Sequence, residues 1–205
     1  FCQKEVNVSP VVDLLEERFD NMLARLHEAY DGIGHSSGRP YLYFVYPPNK
    51  DQYIRRLADD RMHSGGDLHF IHVDLVRLTI ESMAGQEERR AELLNDPVKG
   101  SNAGTSIVRL WARRLAKEIE TGLSDLEPGK RPVVVLRGVA ALHPLGNPTS
   151  LMESVAESEP RNPHTVQAIP VVLLVPGAHP PQASRTYDFL GLPDARLTFY
   201  RGEEM

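Results

Sequence analysis

The chain is predicted to fold as a doubly wound α/β domain, with a mostly parallel five-stranded sheet and helices on both faces. Three observations predict it. The first is the run Val133-Val-Val-Leu136, continuously apolar and largely β-branched between Pro132 and Gly138, which suits a strand covered on both faces. The second is a set of similar short runs: Tyr41 to Tyr46, Leu68 to Val73 and Ala168 to Val175, with Arg196 to Tyr200 as a fifth strand. The third is the helical spacing of apolar residues between those runs, an alternation that implies crossover helices and a parallel sheet. At 205 residues, the whole of 1–205 is expected to form one domain with a substantial core.

Each element carries its own signals. Val11, Val12, Leu14, Leu15, Phe19, Met22, Leu23 and Leu26 keep helical spacing from Val11 to Tyr30, with Ser9 and Pro10 as cap and first-turn residue. The turn formers of Asp31 to Pro40 end that helix. The first strand, YLYFVY, stops at Pro47-Pro48, after which Asn49 or Asp51 is placed to cap a helix reaching Met62. Ser64-Gly-Gly-Asp67 turns the chain into the second strand, and a helix from Leu75 to Met83 follows. Gly85 to Gly104 is charged and loosely patterned, which predicts a short exposed helix ended by Asp96-Pro97 and then a flexible, disordered loop. From Ser106 to Thr121 the helical period returns, with Ile107, Leu110, Trp111, Leu115 and Ile119 on one face, and Glu127-Pro-Gly-Lys130 turns into the central strand. Gly146 to Ser150 reads as the cap of a short helix, Leu151 to Ala156. Ser158 to His164 is a proline-broken loop, and Pro176-Gly177 closes the fourth strand.

Composition narrows the function classes. With 28 acidic against 23 basic residues, the net charge of -5 argues against a nucleic-acid coat. No apolar run is long enough to cross a bilayer, and FCQKEVNVSP lacks the pattern of a signal peptide, so a cytoplasmic protein with no membrane partner is expected. Cys2 is the sole cysteine, which excludes an internal disulfide and a thiolate zinc site within one chain.

In open α/β sheets, ligands are met beyond the carboxyl ends of the strands. A phosphate-binding loop after the first strand needs glycines, several backbone N–H donors and a Lys followed by Ser or Thr. Here the turn is Pro47-Pro48-Asn49-Lys50, and the two prolines remove two donors. After the third strand, Arg137-Gly138 stands where a magnesium-organising acid is required. These two departures argue against a hydrolysing nucleotide enzyme and fit a degenerate P-loop-like domain stripped of catalysis, with no cofactor. His69 and His72 lie three apart on a strand and face opposite ways, while His35, His143, His164 and His179 fall in loops, so no metal is expected. Neither Gly-x-Ser-x-Gly nor His-Glu-x-x-His occurs, and no catalytic residue is assigned. What gathers beyond the strand ends is proline interleaved with tyrosine, arginine and histidine: Tyr46, Pro47, Pro48, Arg137, His143, Pro144, Pro176 and Arg185. Stiff backbone bearing such side chains suits a partner-binding surface. Two other readings stay open: a nucleotide-binding regulator using Lys50 or Arg137 without hydrolysis, and a DNA-binding accessory protein using Arg109, Arg113 and Arg114.

The order of these pieces resembles the BrxB family of the BREX bacteriophage-exclusion systems. The resemblance is carried by Glu17-Arg-Phe-Asp20 in the first helix, Phe44-Val-Tyr-Pro-Pro48, and VVVLRGVAALHP with its downstream helix. Pro170-Val-Val-Leu-Leu-Val-Pro-Gly177, the segment Arg185 to Leu190 and Phe199-Tyr-Arg201 complete it. The proline-rich loop Ala178 to Ala183 departs from the more polar stretch expected there. The resemblance implies a noncatalytic accessory subunit of an anti-phage assembly, whose partner is a PglZ-type, alkaline-phosphatase-like protein beside a DNA methyltransferase and an ATPase.

Overall fold

A computed structural model describes residues 10–85, 87–96, 103–181, 183 and 185–205. Five parallel strands, β1 (Tyr41–Tyr46), β2 (Leu68–Asp74), β3 (Arg131–Arg137), β4 (Val171–Ala178) and β7 (Gly202–Glu204), lie in the order β2-β3-β4-β1-β7. The continuous apolar runs follow from burial on both faces. Along β1, Leu42, Phe44 and Tyr46 enter one core, while Tyr41, Tyr43 and Val45 enter the other. In β3, Val133 and Val135 face the first core and Val134 and Leu136 the second.

The first core is closed by α1 (Pro10–Glu28), through Leu15, Phe19, Met22 and Leu26, and by α2 (Asp51–Arg61), through Ile54, Leu57 and Ala58. The second is closed by α3 (Leu75–Met83), α5 (Ala103–Leu123) and α6 (Pro148–Val155), with Trp111 and Leu115 of α5 almost fully buried. Between α3 and α5 runs α4 (Glu87–Asn95), the short charged helix that the composition predicts. The expected cap Ser9 and the residues 97–102 of the expected loop lie outside the described residues.

The two later crossover helices begin on side-chain caps. Asp74 accepts from the Val76 amide at 2.9 Å at the start of α3. At α6, Asn147 accepts from the Ser150 amide at 2.9 Å while the Ser150 hydroxyl accepts from the Asn147 amide at 3.0 Å, a reciprocal box. The cap expected for α2 at Asn49 or Asp51 is replaced: Lys50 occupies the position without a side-chain bond, because the Asp51 carboxylate is engaged by Tyr46 and Arg55.

At the carboxyl-terminal third the strand assignment changes. Arg196–Thr198 is a strand, β6, but it pairs antiparallel with β5 (Thr186–Phe189), a strand the sequence did not signal. In turn β5 pairs antiparallel with the end of β4, Gly177 opposite Phe189 and Ala178 opposite Asp188. So β4 continues through Pro176-Gly177 instead of stopping there, and the sheet has seven strands. The fifth parallel strand is β7. Its glycine is required by close approach, since a Cβ on Gly202 would lie 2.6 Å from the Tyr41 carbonyl oxygen and from the Tyr43 ring. Glu203 is held by Arg25 at 2.6 Å, Glu204 by His179 at 2.8 Å and Arg18 at 3.4 Å, and the Met205 amide donates to Tyr43 O at 3.0 Å. Past the end of β7, Arg18 donates to Val45 O at 3.0 Å and to Met205 O at 2.5 Å, so a guanidinium completes the edge of β1.

Candidate functional site

Parallel strands bring their carboxyl ends to one edge, and the register there is tight: Tyr46 stands beside Pro176, and Asp74 beside Arg137. A polar chain runs across this edge. The Tyr46 hydroxyl donates to Asp51 Oδ1 at 2.6 Å, and Arg55 Nε donates to Asp51 Oδ2 at 2.8 Å. Arg55 Nη1 lies 3.7 Å from Asp74 Oδ2, and the other oxygen of Asp74 caps α3. Burial, then the bond to Asp51, pushes the Tyr46 hydroxyl far above its ordinary pKa, so it is a fixed donor. Gly138 forms the floor beneath. Its backbone is left-handed, φ 70°, and a Cβ there would sit 2.9 Å from Asp74 Oδ1 and 3.0 Å from Arg55 Nη2. Both acids of the crevice are therefore occupied by Arg55 and by neighbouring donors.

Of the residues predicted for a partner surface, Pro47 and Pro48 are exposed, with Pro48 against Gly191 after β5. Leu192 next to it is 39% exposed, so this end of the edge presents apolar side chains. Tyr46 and Pro176 do not reach the surface: both are buried, and they support the edge from beneath. Arg137 turns onto α2 and pairs with Asp59. Arg185 is exposed, at the end of a loop in which Gln182 and Ser184 lie outside the described residues. Asp51, Arg55 and Asp74 were not read as a unit from the sequence. Their signals were the four-residue spacing of Asp51 and Arg55, and an acid directly before the apolar start of α3.

His143 and Pro144 are exposed but belong elsewhere, in a groove of about 550 Å³ between α5, α6 and the β5–β6 hairpin. Arg109 of α5 lines the same groove. Of the three arginines suggested for DNA, Arg114 is tied to Glu81 at 3.3 Å and to Glu118 at 3.6 Å. His179 is held by Glu204 and His164 by Leu126 O at 2.9 Å. No group of three or more His, Cys, Asp or Glu side chains that could hold a metal occurs among the described residues. No helix among them is long and apolar enough to cross a membrane. Compared with known protein families, curated proteins and solved structures, the chain matches none.

Proposed function

We propose that this chain is a noncatalytic interaction subunit of a bacteriophage-exclusion assembly of the BREX type, acting in the cytoplasm and binding a PglZ-type partner. The partner's identity rests on the resemblance carried by the sequence pieces quoted above. The observation that favours recruitment over chemistry is the Tyr46–Asp51–Arg55–Asp74 chain. It fills the crevice where a doubly wound sheet ordinarily takes its ligand, beside a turn that two prolines strip of donors. The surface offered instead is Pro47, Pro48 and Leu192, an apolar patch beside Lys50.

Co-expression of the tagged chain with the PglZ-type protein tests the reading. The native chain should retain the partner, and Pro48→Glu/Leu192→Glu should lose it while keeping its circular dichroism spectrum. Retention by that variant sinks the assigned surface. A thermal-shift series with ATP and GTP separates recruitment from nucleotide binding, since ligand at a hundred times Kd stabilises by about 2.7 kcal/mol. The expected shift is zero.

A further inference from the structure

The groove beside the hairpin has the makings of a second contact. Strand β6 is hydrogen-bonded to β5 alone, Tyr187 opposite Leu197, so its other edge carries amide and carbonyl groups without a strand partner among the described residues. Such an edge is a template for another chain. Arg196 and Leu197 of this strand form one wall of the groove, and Glu153 of α6 with Glu157 in the 3-10 turn directly after it form the facing wall.

Charge selects the occupant. Glu153, Glu157 and Asp194 are exposed, and no ion pair engages them among the described residues. The Arg196 charge is already matched, because its guanidinium is bonded to the buried Asp188 carboxylate at 2.8 and 3.4 Å. That leaves three free carboxylates against Arg109. A helix would leave the strand edge unpaired, and an acidic segment would meet like charge; an extended segment with basic side chains on one face satisfies both walls.

We infer that the free edge of β6 docks an extended basic segment of a partner chain, adding it as a strand while alternate Lys or Arg side chains meet Glu153, Glu157 and Asp194. The inference rests on the reading of the chain as an interaction subunit and assigns a surface apart from the Pro48–Leu192 patch.

The probe is a capped, labelled decapeptide alternating Lys with Val, measured by fluorescence anisotropy against the full chain. Two control peptides carry Glu for Lys, or Pro for the Val residues so that backbone pairing is blocked. The Lys–Val peptide should bind, neither control should bind, and Glu153→Gln/Glu157→Gln should weaken binding roughly tenfold, the size expected of two solvent-facing charge pairs. Slowed amide exchange in residues 196–198 on peptide addition completes the expected result. Equal binding of the Pro-blocked peptide reduces the contact to charge attraction and overturns strand addition. Absence of Lys–Val binding, or indifference to the double substitution, also overturns it. If the PglZ-type protein is still retained in either case, and still lost by the Pro48/Leu192 variant, the interaction-subunit reading stands without this groove.

Discussion

A single hydrogen at Gly138 decides how the crevice closes. An alanine there would hold a left-handed backbone at φ 70° and press its methyl group on Asp74, Val76 and Arg55 within about 3 Å. Because two of those neighbours are the ends of polar side chains, relaxation is partial. We expect Gly138→Ala to lower stability by about 2 kcal/mol, read from urea unfolding. His72 makes a different prediction. Its Nε2–H donates to Met62 O at 2.6 Å, and burial lowers its pKa, with the Arg137 charge adding to the effect and the Met62 bond and Asp59 opposing it. A depressed histidine pKa means that the unfolded chain binds the proton more readily than the folded one. The stability from neutral His72 is thus complete above the unfolded value of about 6.5 and is lost as pH falls below it towards the folded pKa. His72→Gln, which keeps a donor for Met62, should flatten the decline in urea midpoint between about pH 7 and pH 5. An unchanged slope would assign that decline to other groups.

Among the elements, β1 and β3 were legible because burial on both faces demands an unbroken apolar run, and YLYFVY and VVVL are such runs. Strand β7 was not legible. Gly202-Glu-Glu204 has no apolar residue, and its place depends on partners far along the chain: the open flank of Tyr41 and Tyr43, and Arg18 and Arg25 of α1. Gly202→Val should therefore displace β7 and cost about 2–3 kcal/mol, as overpacking against the Tyr41 backbone allows little relief. Thermal unfolding would show it as a lowered Tm. At α6, Asn147→Ala removes one half of the reciprocal box and should cost about 1 kcal/mol, whereas Asn147→Asp should retain most of the cap. The crevice was half legible. Its missing donors could be read from Pro47 and Pro48, but the pairing of Arg55 with Asp74 joins a side chain of α2 to the end of β2, which only the folded arrangement brings together.

The two cores share β1, residues 133–136 of β3 and residues 171–175 of β4, one side chain up and the next down, so we expect neither to melt alone. Trp111 fluorescence, which reports the α5 side, and far-ultraviolet dichroism should trace coincident urea transitions; separated midpoints would mean independent halves. The strand order also governs how the molecule can be made. Tyr41 sits between Val171 of β4 and Gly202 of β7, both contributed long after β1 leaves the ribosome. During synthesis YLYFVY consequently waits with both flanks bare, an aromatic ribbon of the kind that sticks to its copies. Until the closing residues arrive, α1 is the element already made that covers one face of this ribbon, with Phe19 edge-on to Phe44 at 5.3 Å.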